Sequence, residues 1–265
     1  MRIKLISLFC VTLALTACMD RTSKTDKKKE DGPQPTVKPK PDFQKAALLN
    51  IEMGQTYLAQ GNVSRAKKKF VHALELKPKL PEAHSAIGYF YETVGDMSEA
   101  EEHHLEAIRY GAGKGRFYNN YGTFLCRQDR LQEADRVFNK ALKDKQYIKT
   151  AEVYENAGIC ALKQPDIAKA YNYLLTAIQH DPSRSAASLE LANIELEKNN
   201  LQGCAQYLNL FKQSGAPSAK SLWLSIRLNK QMGNQNELAS AALQLKNLFP
   251  NSVEYKKYLE FTQHD

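Results

Sequence analysis

The sequence contains no Cys-x-x-Cys pair, no Gly-x-Ser-x-Gly elbow, no phosphate-cradling glycine loop and no dinucleotide fingerprint. These absences remove thiol-redox and zinc-ribbon chemistry, the usual serine-hydrolase nucleophile, and nucleotide binding on a strand–loop–helix unit. Long apolar runs are missing too. Ile6 to Leu15 is an apolar stretch of about ten residues, where a bilayer-spanning helix needs roughly 20. Neither catalysis nor a cofactor is expected.

What is present is ordinary for a soluble body: 43% apolar and 25% charged residues, with a formal charge of +8. Part of that charge, Arg2 and Lys4, lies in a segment expected to be removed. Another part lies between Lys24 and Lys40. A basic tail beside a membrane explains the balance more simply than nucleic acid does. No nucleic-acid partner and no small-molecule substrate are expected.

Residues 1–17 read as a signal peptide, with a basic start, an apolar middle and small residues before Cys18. Leu15-Thr16-Ala17-Cys18 resembles the bacterial lipobox, which implies that the Cys18 thiol carries a diacylglycerol. Acyl chains contribute about 0.8 kcal/mol per buried methylene, so several chains hold a protein on a membrane. Met19, not aspartate, follows Cys18. By resemblance to the enteric sorting pattern this implies the outer membrane, facing the periplasm. Residues 18–42 carry Pro33, Pro35, Pro39 and Pro41 with Lys27-Lys28-Lys29, and almost nothing to bury. They are expected to form an extended tether.

Residues 43–263 repeat. Gly54, Gly88 and Gly122 are 34 residues apart, and Gly158 follows after 36. Each heads a similar series: Ala66, Phe70 and Ala73; Ala100, His104 and Ala107; Ala134, Phe138 and Ala141; Ala170, Leu174 and Ala177. Small residues at these places let two helices lie close. Gly61 and Gly95 suit the turn between them, and Pro78 and Pro182 suit the exit. The spacing resembles the tetratricopeptide repeat. It implies an all-α superhelical solenoid of about six helix pairs plus a C-terminal helix. The repeats fall near 47–80, 81–114, 115–150, 151–184, 185–218 and 219–251. The last two are degenerate, and a longer loop is predicted at 143–149.

In that fold the first helices line a groove. Its positions carry over to Leu48, Ile51, Gln55 and Leu58, then Tyr89, then Asn119 and Thr123. Such a strip suits an amphipathic helix or an extended peptide with two or three apolar anchors. Coverage of Leu48, Ile51 and Leu58 by residues 42–47 is the alternative. Ile51, Gln55 and Ala86 stand where a carboxylate clamp needs lysine and asparagine, so a reader of chaperone tails is not expected. Cys126 and Cys160 end adjacent first helices. They can form a disulfide only if they face each other directly, because helices 8–10 Å apart otherwise exceed its reach. Cys204 and His104 fall on buried positions, and His103-His104 is not expected to bind metal. His72, His84 and His180 are scattered on separate helices.

Asn119-Asn120-Tyr121-Gly122-Thr123-Phe124-Leu125-Cys126, with the lipobox, tether and repeats, resembles the type IV pilus biogenesis and stability lipoprotein family (PilF or PilW). The resemblance covers nearly the whole chain. It implies a pilotin, which binds secretin subunits and promotes their outer-membrane localisation and multimerisation. The alternative is a scaffold lipoprotein for outer-membrane protein assembly or peptidoglycan enzymes.

Overall fold

Six helix pairs and a closing helix follow one another along residues 42–263, the part that the computed structural model describes. Residues 1–41, which hold the expected signal peptide, Cys18 and the tether up to Pro41, lie outside the described residues, as do residues 264–265. The pairs are α1 (Phe43–Ala59) with α2 (Val63–Leu76), α3 (Pro81–Val94) with α4 (Met97–Tyr110), and α5 (Gly115–Arg127) with α6 (Leu131–Leu142). They continue with α7 (Thr150–Ala161) and α8 (Ile167–His180), α9 (Ser185–Glu197) and α10 (Leu201–Ser214), and α11 (Ala219–Met232) and α12 (Gln235–Leu248). The last helix is α13 (Val253–Gln263), and no strand occurs among the described residues. The expected all-α solenoid is therefore the observed one.

The repeated small residues set the spacing within each pair. A Cβ on Gly54 would lie 2.5 Å from Phe70 Cε1, and one on Gly122 would lie 2.7 Å from Phe138 Cε1. Phe70 and Phe138 are 1% exposed. Each ring thus fills the space that glycine leaves, and burying it is worth about 1.5–3 kcal/mol. Toward the C-terminus the sizes reverse. In the sixth pair Ile226 holds the glycine place and Ala242 the phenylalanine place, and both belong to one buried cluster. Volume is redistributed across the interface, the kind of swap that cores tolerate.

The turns repeat as well. Gly61, Gly95, Asp129, Asn199 and Gly233 all have positive φ. The next residue often caps the second helix: Asn62 accepts from the Arg65 amide at 3.2 Å, Asp96 from Glu99 at 3.3 Å, and Asn200 from Gly203 at 3.1 Å. Caps of this kind contribute about 1 kcal/mol each. Asp42 caps α1 through the Lys45 amide at 3.0 Å. The pair-to-pair connections have four residues, except that 143–149 has seven. This longer loop folds back, and Asp144 accepts from the Gly115 amide at 2.7 Å.

Candidate partner-binding groove

Because each pair stacks its first helix beside the next pair's first helix, α1, α3, α5 and α7 together line a groove of about 580 Å³. From α1 come Leu48, Ile51 and Gln55; from α3, Glu82, Ser85, Tyr89 and Glu92; from α5, Arg116, Asn119, Asn120, Thr123 and Arg127; and from α7, Glu152 and Asn156. Six of the seven groove positions read from the sequence fall here. Leu58 does not: it is half-buried against the Ile51–Phe70–Phe90 cluster. Leu48 and Gln55, seven residues apart, share the line toward the groove, and Ile51 beside them both lines the groove and packs in that cluster. Leu58 lies two turns beyond Ile51, past the last groove-lining residue of α1. Residues 43–47 are the first turns of α1 itself, and Leu48 stays 42% exposed.

The floor is polar. Asn120 Nδ2 donates to Ser85 Oγ at 2.8 Å, linking α5 to α3. Asn119 is 1% exposed. Its Nδ2 donates to Glu152 Oε1 at 3.1 Å, and its Oδ1 accepts from Asn156 Nδ2 at 3.1 Å, linking α5 to α7. Asn119 therefore positions other groove residues more than it contacts a partner. Arg116 pairs with Glu82, and Arg127 with Glu92 at 2.6 Å. The arginines are thereby matched across repeats, so the groove presents no strong field of one sign. Tyr89 is 51% exposed, with the Arg127 guanidinium 6.0 Å from its ring centroid. Asn120, Glu152, Asn156 and the floor residue His104 were missed in the sequence. Asn120 and Asn156 fall outside the transferred groove positions, and His104 sits on a second helix.

His104 reaches the groove from α4, beneath Gly88, where an added Cβ would stand 3.1 Å from its Nε2. It is 3% exposed and packs on Phe124 with ring centroids 5.2 Å apart. Neither ring nitrogen has a hydrogen-bond partner among the described residues. Burial, then the nearby Arg127 charge, push its pKa down to about 4, so it is neutral at pH 7. His103 faces elsewhere. It stacks on Tyr91 at 5.6 Å, and its Nδ1 lies 3.0 Å from His84 Nδ1. His84 Nε2 lies 3.0 Å from the Pro78 carbonyl, which can only accept. His84 Nδ1 is then the acceptor and His103 Nδ1–H the donor. His84 is thus not isolated, a contact across α3 and α4 that spacing alone did not reveal. Among the described residues no three or more His, Cys, Asp or Glu side chains gather to hold a metal.

The structure joins Cys126 of α5 to Cys160 of α7 as a disulfide, with Cα atoms 5.7 Å apart. The two cysteines face each other directly, which is the condition that helix spacing imposed. Cys204 is fully buried, and desolvation raises its thiol pKa to about 11, which suits a core residue.

The tetratricopeptide repeat family matches residues 51–113. The type IV pilus assembly protein PilF of Pseudomonas aeruginosa is 30% identical over 258 residues, which is 97% of this chain and 98% of that protein. The chain belongs to the PilF family. A solved structure of Pseudomonas aeruginosa PilF superposes with a TM-score of 0.73 and 32% identity, covering 83% of this chain and 99% of that one. The crystal structure of PilW, a widely conserved type IV pilus biogenesis factor, gives 0.69 at 26% identity, covering 80% and 98%. No described helix is long and apolar enough to cross a membrane.

Proposed function

We propose that this chain serves type IV pilus biogenesis as an outer-membrane lipoprotein facing the periplasm, a pilotin that binds secretin subunits through its groove. The observation that supports this best is full-length kinship with PilF combined with an open groove shared by four first helices. The groove has the features of a peptide reader. Leu48 and Tyr89 offer exposed apolar surface, and the exposed amides of Gln55 and Asn120 offer hydrogen bonds to a main chain. The matched ion pairs favour a partner segment of mixed polarity over a highly charged one. Anchoring at Cys18 would confine the groove to the membrane surface, and confinement raises the local secretin concentration without new contacts. No residue is assigned a catalytic role.

The test is a deletion strain complemented with wild type, Tyr89→Ala or Cys18→Ser. Loss of a central aromatic anchor costs about 2 kcal/mol or more, roughly a 30-fold weaker complex. Secretin capture and heat-resistant secretin multimers should fall with Tyr89→Ala, and outer-membrane fractionation should fail with Cys18→Ser. Normal multimers and pili in the deletion strain itself would overturn the reading.

A further inference from the structure

The net positive charge of the folded body lies in its first repeat. Residues 42–80 hold seven Lys and Arg against three Asp and Glu, whereas residues 81–263 hold 21 of each. The excess sits on and just after α2, at Arg65, Lys67, Lys68, Lys69, Lys77 and Lys79. None of these makes an ion pair among the described residues, although Lys67 and Arg65 lie over the rings of Tyr91 and Tyr57. Further along, Arg116, Arg127, Arg130, Lys163, Arg184 and Arg227 each hold a carboxylate.

The geometry of α2 gives this charge a surface. Ala66, Phe70 and Ala73 face the core. Ser64, Lys68, Val71 and Glu75 follow one line on the opposite side. With Val63 and Lys67 they border one shallow depression. Val63 and Val71 are each 42% exposed, so apolar side chains stand among the lysines. Glu75 is the acidic member, and it lies 2.9 Å from the His72 Nδ1. In the sequence, α1 and α2 are the helices closest to Cys18 and to the lysines at 27–29. Unpaired cations around small apolar groups match a bilayer surface, where headgroup phosphates take the charge and the side chains reach the acyl boundary.

We infer that the outer face of α2 docks on anionic phospholipid headgroups, so that the first repeat lies against the membrane. The inference is independent of the secretin reading, and the test is independent of acylation. The mature chain from residue 18, with Cys18→Ser, is floated with phosphatidylcholine vesicles and with vesicles also containing phosphatidylglycerol. The chain should float with the anionic vesicles only, and rising salt should release it. Each lysine near the surface is worth about 1 kcal/mol, so Lys67→Gln/Lys68→Gln should bind roughly 30-fold more weakly. Lys212→Gln/Lys246→Gln, at exposed sites distant in sequence, should bind like the parent. Circular dichroism checks that both variants fold. Equal binding by the Lys67/Lys68 variant and the parent would overturn the inference, since the upstream lysines would then do the binding. So would equal flotation with both vesicle types. Failure to float, with retention on a polyglutamate column, would assign the face to an acidic protein.

Discussion

Replacing His104 with phenylalanine should stabilise the protein and flatten its response to acid. The same place in neighbouring pairs holds Phe70 and Phe138, each set against a glycine as His104 is against Gly88. Neutral His104 carries one N–H with no acceptor among the described residues. A buried unpaired donor costs about 1–3 kcal/mol, which the variant would recover at pH 7.5. The pH term adds to this. The folded-state pKa of about 4 lies below the ordinary 6.5, so the unfolded chain takes up a proton that the folded chain refuses. That contribution to stability is complete above pH 6.5 and is lost as pH falls toward 4. By linkage the loss reaches about 2 kcal/mol at pH 5.

The assay is thermal unfolding of both proteins from pH 7.5 to pH 5, followed by far-UV circular dichroism. Trp223 fluorescence would report mainly on the sixth pair, and repeat arrays couple most strongly to near neighbours. One kcal/mol moves the midpoint of a body this size by roughly 2–4 °C. The wild type should therefore lose about 4–8 °C more than the variant over that range. His103, whose pKa burial also lowers, is present in both and cancels. A constant gap between the two curves at every pH would refute the claim that His104 is held neutral by burial.

Two further substitutions test the packing. Gly54→Ala sets a methyl 2.5 Å from the Phe70 ring, and Gly88→Ala sets one 3.1 Å from the His104 ring; overpacking should cost about 1–3 kcal/mol at Gly54 and less at Gly88, read by denaturant titration. Cys126→Ser/Cys160→Ser opens a loop of 34 residues, so the unfolded chain regains about 4 kcal/mol of entropy and the melting temperature should fall. Mass spectrometry of the wild type should show a gain of two hydrogens on reduction.

How much of this was legible in the sequence depends on which forces are local. Gly54, Gly88 and Gly122 signalled their partners because close approach of two helices in one pair is a short-range demand, met within sixteen residues. The seven-residue loop at 143–149 was legible as a break in the period. The groove was legible only as a register. Leu58 lies outside the groove lining because it is two turns beyond Ile51, past Gln55, where α1 leaves the groove. Leucine also prefers the buried cluster around Ile51 to solvent. Asn120 and Asn156 were invisible because their partners, Ser85 and Asn119, are 35 and 37 residues away. The basic face of α2 was written in the sequence as Arg65 and Lys67–Lys69. It acquired meaning only when the rest of the body proved charge-balanced.

The groove is not equally stiff along its length, and this bears on how a partner enters it. Between α5 and α7 the disulfide, the Asn119 bonds to Glu152 and Asn156, and the Lys163 ammonium on the Cys126 carbonyl at 3.0 Å all cross the same interface. Between α1 and α3 no side-chain hydrogen bond or ion pair is found among the described residues, and that interface rests on apolar packing around Ile51, Ala83, Ala86 and Ile87. Apolar packing permits sliding that a covalent bridge and a hydrogen-bonded amide do not. The third and fourth repeats thus hold their groove residues in a fixed register, so little ordering entropy is spent when a segment binds there. The first repeat, with exposed Leu48, can adjust its pitch to the segment's anchor. Binding should therefore begin on the rigid Asn120–Thr123 wall and finish by closure of α1. Reducing the Cys126–Cys160 bridge should then weaken capture chiefly by slowing association; if it changes only dissociation, the rigid wall is not where binding begins.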